Sequence, residues 1–337
     1  MFQLEKIIRP NILTLKPYSS ARDEFKGKDG IFLDANENPF GNLNRYPDPY
    51  HKILKEKLSA LKNSSTENIF VGNGSDEVID LVFRIFCTPG KDKVIVCPPT
   101  YGMYEVSANI NDVEIISIPL NERFQLDVEK ILNTEAKIIF LCSPNNPTAN
   151  NLENIETIIQ KFNGIVFVDE AYIDFSTQES LLQKVNDFPN LIISQTLSKA
   201  WGRAAIRIGI AYASKEIITY YNKVKPPYNV SQINQHEAIN AFDDMETFTK
   251  NLKTILTQRT WLVEQLSSLS IVERIYPSDA NFVLVKTINA NAIYQKLVEE
   301  KIVVRNRHSV VENCLRITVG EPFENVKLID SLKKIEL

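Results

Sequence analysis

The sequence predicts an α/β protein: a mainly parallel sheet between helices, followed by a smaller α+β unit. Three features predict it. From about residue 70, short runs rich in Ile and Val recur: "KVIVC" (93–97), "VEIISI" (113–118), "KIIFLC" (137–142), "GIVFVD" (164–169), "LIISQ" (191–195) and "IRIGIAYA" (206–213). Strands so uniformly apolar are covered on both faces, as parallel strands are. Helical patterns fill the gaps between them, which is the signature of a layered α/β architecture. After "VKPPYNVS" (224–231) the texture changes to a long helical stretch and then paired strands.

Each element has a local reason. In "SDEVIDLVFRIF" the apolar residues Val78, Leu81, Val82 and Ile85 recur at helical spacing. Ser75 is the expected cap, with Asp76 and Glu77 in the first turn, where the helix dipole favours acids. "NLENIETIIQKF" (151–162) reads as a second helix. Residues 232–268 contain no proline or glycine and read as one long helical stretch. "IVERIY" and "NFVLVK" follow as strands, then a helix near 291–300, the strands "IVVR" and "CLRITV", and a C-terminal helix. Pro226-Pro227 marks the boundary, since proline restricts itself and its predecessor. The expected division is an N-terminal arm (1–30) packing with the small domain, a large domain (31–230) and a small domain (231–337).

Composition excludes several classes. The chain has 337 residues, 44% apolar and 24% charged, with net charge −4 and dispersed basic residues. No basic block suggests nucleic acid or a membrane surface. No run approaches the roughly 20 apolar residues of a membrane helix. The N-terminus lacks a signal-peptide core, so a cytoplasmic location is expected. Cys87, Cys97, Cys142 and Cys314 have no C-x-x-C spacing and read as free thiols, and the three histidines form no metal pair.

Chemistry is expected at strand ends, where open α/β sheets bind ligands. Asp169 ends "GIVFVD" and can hold a cationic nitrogen; Tyr172 follows three residues later. Asn146 lies in "SPNNPT" after another strand, although such a turn is also ordinary surface chemistry. "GNGSDE" (72–77) is a helix start able to bind an anion, or simply a helix start. Thr196, Ser198 and Arg207 surround Lys199, and together they suit a phosphate. A lysine desolvated beside other cations has a lowered pKa and becomes a nucleophile. Pyridoxal phosphate asks for this whole set: an amine, an acid for its ring nitrogen, donors to its phenolic oxygen, an aromatic wall (here Tyr101) and a phosphate cup. No metal is expected.

The chain resembles the fold-type I pyridoxal-phosphate aminotransferases, and within them the histidinol-phosphate aminotransferase family. The resemblance rests on "LDANENPFG" (33–41), "RYPDP" (45–49), "GNGSDE" (72–77), "PPTYGMY" (98–104), "SPNNPT" (143–148), "VDEAYIDF" (168–175), "TLSKAWG" (196–202), "IRIG" (206–209), "DANFVLVK" (279–286) and "LRITVG" (315–320). It implies a seven-stranded, mainly parallel sheet in the large domain. It implies that Lys199 carries the cofactor and moves the proton, that Asp169 pairs with the ring nitrogen, and that Tyr172 and Asn146 contact the phenolic oxygen. Tyr101 would stack on the ring, and Ser75, Asp76, Thr196, Ser198 and Arg207 would surround its phosphate. Tyr46 would reach that phosphate from the other subunit of a homodimer. Arg316 would bind the glutamate α-carboxylate; Tyr18, Asn36, Arg305 and Arg316 would receive the substrate phosphate. The implied reaction moves an amino group between glutamate/2-oxoglutarate and histidinol phosphate/imidazole acetol phosphate, in histidine biosynthesis. An aromatic or broad-specificity aminotransferase and a threonine-phosphate decarboxylase-like lyase are the alternatives. Ala149 and Ala205 stand where the family usually has glycine, and Arg203 where an apolar residue is usual.

Overall fold

The computed structural model describes residues 2–18 and 30–335. Seven strands form one sheet: β1 (Ile69–Asn73), β2 (Lys93–Val96), β3 (Glu114–Ser117), β4 (Ile138–Cys142), β5 (Ile165–Asp169), β6 (Leu191–Thr196) and β7 (Ile208–Ala213). Their order is β1-β7-β6-β5-β4-β2-β3. The pairs β2–β3, β2–β4, β4–β5 and β5–β6 are parallel, whereas β7 runs antiparallel to β6 and to β1. The expectation of uniformly apolar strands holds because both faces are covered. Ile139 and Leu141 enter one apolar cluster, and Ile138 and Phe140 enter the other. Burying each such side chain contributes about 1.5–3 kcal/mol.

Three details of this sheet and the helix after β1 differ from the sequence reading. Strand β1 has only three consecutive large apolar residues before Gly72, so it does not stand out, yet it pairs along its whole length with β7. Strand β7 starts at Ile208 rather than at residue 206, because Arg207 takes a left-handed conformation (φ 52°) after a short 3₁₀ turn, Ala204–Ile206. The helix Gly74–Phe86 also starts two residues earlier than expected, with Asn73 rather than Ser75 at its cap position. Ser75 therefore lies inside the first turn. The Glu77 carboxylate instead accepts the Asn73 N–H at 2.5 Å, satisfying one of the free donors of the helix start.

The C-terminal part carries a second sheet, all antiparallel, in the order β10 (Arg305–Asn306), β11 (Cys314–Thr318), β9 (Phe282–Thr287), β8 (Val272–Ile275). Its core gathers Val283, Val285, Leu297, Leu315 and Ile317 with Leu262 and Leu266 from the helix Met245–Ser267. The long helical stretch breaks in two, Gln232–Asp243 and Met245–Ser267. Asp244 leaves helical geometry at the break, and its side chain accepts the Thr247 N–H at 3.1 Å. A short acid competes well for such a capping role, which ends a helix without glycine or proline.

The arm is corrected as well. Ile8 and Ile12 are buried in the same cluster as Val82, Phe83 and Ile85, and the Arg9 N–H donates to the Ile85 carbonyl at 3.0 Å. The described start of the arm thus packs on the seven-stranded unit, not on the small one. Residues 19–29 of the arm lie outside the described residues.

The start of helix Gly74–Phe86 presses directly onto β7. A Cβ added at Gly209 would lie 2.2 Å from both the Gly74 carbonyl carbon and the Ser75 nitrogen. Gly74 has φ 79°, and a Cβ there would meet the Arg207 guanidinium at 2.4 Å. Only two bare backbones allow this approach, which sets the helix start beside the ends of β5 and β6. Gly209→Ala is therefore expected to destabilise the fold by about 1–3 kcal/mol, the usual range for overpacking. Denaturant midpoints of the two proteins measure this; equal midpoints would contradict the packing argument.

Candidate active site

The C-terminal ends of β4, β5 and β6 and the start of helix Gly74–Phe86 converge on a cavity of about 320 Å³. Asp169, Tyr172, Lys199, Asn146, Tyr101 and Arg207 line it, with Ser75, Asp76, Thr196 and Ser198. Three arginines of the small sheet, Arg305, Arg307 and Arg316, close the far side. The cavity thus joins residues from both sheets.

Asp169 is the last residue of β5 and is 2% exposed. Its Oδ1 accepts the Ala171 N–H at 3.1 Å, and its Oδ2 accepts the Tyr104 hydroxyl at 2.8 Å. Burial raises its pKa to about 6 from an ordinary 3.8, against the lowering influence of Tyr104, Ala171 and the Lys199 charge. Tyr104 is fully buried, stacks on Phe140 (5.0 Å between centroids) and meets Tyr101 edge-on at 5.6 Å. One phenol thereby fixes the carboxylate and supports the ring that forms the cavity wall. The Cys142 thiol beside them is held protonated by burial and by the Asp169 charge.

Lys199 follows β6 and is half-buried. Its Nζ lies 5.5 Å from the centre of the Tyr172 ring. Burial lowers its pKa, and the nearby Arg316 and Arg207 charges add to that, while Asp169 and Asp76 oppose it. Lysine stands at the end of this strand because it faces the cavity, not because the strand has reached solvent. Before it, the Thr196 hydroxyl accepts the Ser198 N–H at 3.1 Å and lies 3.1 Å from the Ile208 carbonyl, tying the lysine turn to β7. Arg207 pairs with Asp76 at 3.3 Å, and Asp76 also accepts the Tyr101 hydroxyl at 3.1 Å. These side chains encircle the free N–H groups of the helix start, an arrangement suited to a phosphate.

The turn "SPNNPT" is buried rather than superficial. Asn145 is 1% exposed and donates to the Pro99 carbonyl (2.8 Å) and the Thr148 hydroxyl (2.6 Å). That scaffold holds Asn146, whose Oδ1 accepts from Arg316 Nη1 at 2.5 Å. Arg316 also lies over the Phe282 ring at 5.3 Å, and Phe282 meets Tyr172 edge-on at 5.1 Å. The guanidinium is thus aimed across the junction of the two sheets. Ala149 has φ 66°, which explains why glycine would suit the position; its methyl is wholly buried with Tyr172 and Phe282. Ala205 lies in the exposed 3₁₀ turn and needs no left-handed backbone, and Arg203 is exposed beside it.

Three expected residues lie outside this cavity. Tyr18 is 67% exposed and borders a narrow recess with Tyr50 and Tyr228. Asn36 and Tyr46 border a separate recess, and Tyr46 stacks on Tyr228 of its own chain at 4.4 Å. Two residues the sequence reading did not assign lie at the site. Tyr104 stands three residues after Tyr101, in the first turn of the helix Met103–Ile110 that Tyr101 precedes. Arg307 stands two residues after Arg305, just past the end of β10.

Known proteins resemble the chain over nearly its whole length. The profile of the family "Aminotransferase class I and II" matches residues 25–332. A protein of Cytophaga hutchinsonii named histidinol-phosphate aminotransferase is 52% identical, over 98% of this chain and 99% of its own. One of the same name from Christiangramia forsetii is 52% identical over 99% of each. The crystal structure of the histidinol-phosphate aminotransferase from Clostridium acetobutylicum superposes with a TM-score of 0.79 at 25% identity, covering 87% of this chain and 90% of that one. A Sinorhizobium meliloti structure of the same name, in complex with pyridoxal-5'-phosphate, gives 0.79 at 22% identity, covering 89% of each chain. The chain belongs to the class I and II aminotransferases, and within them to the histidinol-phosphate aminotransferase family.

Proposed function

We propose that the protein is a pyridoxal-phosphate-dependent transaminase of histidine biosynthesis. It exchanges an amino group between glutamate/2-oxoglutarate and histidinol phosphate/imidazole acetol phosphate. The observation that carries the reading is one cavity holding a half-buried lysine, a fully buried carboxylate and a polar cup at a helix start. The fit to the cofactor rests on that donor set. Asp169, with both oxygens already anchored and a cavity-facing position, suits a protonated ring nitrogen. Tyr101 offers a wall for the ring, and Tyr172 and Asn146 offer donors to a phenolic oxygen. Ser75, Asp76, Thr196, Ser198 and Arg207 surround the phosphate position. The relatives at 52% identity favour this reaction over a phosphothreonine lyase.

Bound there, pyridoxal phosphate supplies an electron sink for the carbanion left when an α-proton is removed. The protein's residues do the rest. Lys199 would hold the cofactor through its amine and, when freed, would serve as the general base that takes the α-proton and returns it as acid. Its lowered proton affinity keeps a larger share of the amine neutral at pH 7. Asp169 would hold the proton on the cofactor's ring nitrogen. Arg316 binds the glutamate α-carboxylate, and Arg305 with Arg316 receives the phosphate end of the other substrate; a planar fork serves both anions.

The functional unit we propose is a homodimer. Ile31, Leu33 and Phe40 are 91%, 87% and 82% exposed on the segment that leads to Tyr46. Side chains of this size left open in one chain mark an interaction face. In the dimer, Tyr46 would reach the partner's cofactor phosphate, and Tyr18 and Asn36 the partner's substrate. A cytoplasmic location fits four buried free thiols.

Three outcomes are expected. Borohydride treatment of the holoenzyme, followed by peptide mass analysis, should find the cofactor on Lys199; label on another lysine would refute its role. Glutamate and imidazole acetol phosphate should yield histidinol phosphate, whereas phosphothreonine should release no carbon dioxide. Cofactor affinity should fall as pH drops through about 6, because Asp169 then takes a proton and loses the charge that holds the ring nitrogen. Equilibrium dialysis from pH 5 to 8 tests this against Asp169→Asn, whose profile should lack that transition.

A further inference from the structure

The small sheet presents three guanidiniums to one cavity. Arg305 pairs directly across from Arg316 in the β10–β11 register, and Arg307 lies one residue past the end of β10. All three line the cavity that holds Lys199. Among the described residues, none of the three is in an ion pair with a carboxylate. Arg316 is engaged by Asn146 and Phe282 at the Lys199 end. Arg307 has a fixed backbone: its N–H donates to the Cys314 carbonyl at 2.9 Å, and its own carbonyl accepts from Val310 and Val311, both at 2.8 Å. Its side chain is otherwise unsupported, since Nε is buried without a partner. A buried guanidinium nitrogen left unpaired beside two like charges is costly unless an anion arrives.

We propose that Arg307 completes the distal anion subsite and sets the preference for a phosphate dianion over a carboxylate. The identity of the phosphorylated amine rests on the functional reading above; the role of Arg307 as a phosphate reader does not. A phosphate monoester carries close to two charges at pH 7 and three acceptor oxygens, whereas the α-carboxylate of glutamate, which would share Arg316, carries one charge and two oxygens. Two guanidiniums can satisfy a carboxylate. A third, entering from just past the end of β10, adds a fork that only the dianion uses in full. Arg207 is spoken for at the opposite end of the cavity, where it pairs with Asp76 beside the helix start.

The test uses the holoenzyme and its Arg307→Gln and Arg307→Lys variants. Single-turnover half-reactions are measured with histidinol phosphate, unphosphorylated histidinol and glutamate. In Arg307→Gln, the specificity constant for histidinol phosphate should fall about ten- to a hundredfold more than that for histidinol or glutamate, the range for losing one charge-assisted contact. Arg307→Lys should fall between the two, since it keeps the charge and loses the fork. Equal losses on all three substrates, or none, would overturn the proposal. Inhibition of the glutamate half-reaction by inorganic phosphate provides a second measurement. It should weaken in Arg307→Gln whatever the natural amine is. Wild-type enzyme that ignores histidinol phosphate would sink the functional reading alone; unchanged phosphate inhibition in the variant would sink the arginine's role alone.

Discussion

Everything at this site is arranged around a carboxylate that has been taken out of water. Asp169 ends the middle strand of the large sheet, with hydrophobic layers on both faces. Burying an unpaired charge is expensive, so such a group neutralises itself or acquires a partner. Here two donors fix the carboxylate without neutralising it, and its proton affinity stays raised. The remaining acceptor capacity faces the cavity. In the function proposed here a protonated ring nitrogen would be that partner, and the acid and Lys199 share one opening.

The same logic runs outward through the packing. Tyr104 is both a core ring and the acid's donor, so the aromatic stack with Phe140 transmits the position of the sheet to the carboxylate. Gly74 and Gly209 let the helix start lie against β7, which brings the phosphate cup within reach of the lysine turn. Asn146 is held by a buried turn and in turn holds Arg316, so the small sheet is registered to the large one by a polar contact. Arg305, Arg307 and Arg316 then share one cavity with Lys199, Arg207 and the helix start.

Much of this was legible in the sequence, and the reasons are specific. Apolar runs such as "KIIFLC" reveal strands covered on both faces, and motifs at their ends reveal Lys199, Asp169, Tyr172 and Asn146. What escaped depended on three-dimensional context. β1 carries too short an apolar run to announce itself, yet pairing with β7 stabilises it. The break at Asp244 comes from a capping acid inside a pattern that reads as continuous helix. Tyr104 looks like one more core aromatic, and only its distance to Asp169 gives it a role. Arg307 was hidden because an arginine just past a short edge strand is ordinary until the cavity it lines is known. Tyr18, Asn36 and Tyr46 face away from the cavity of their own chain, so their proposed roles require a second copy.

The central claim, that Asp169 keeps the cofactor's ring nitrogen protonated, is tested most directly by nitrogen NMR of holoenzyme loaded with cofactor labelled at that nitrogen. The wild-type signal should report a protonated nitrogen throughout pH 6 to 8, and Asp169→Asn should shift it to the neutral form. A neutral ring nitrogen in the wild-type protein would contradict the account.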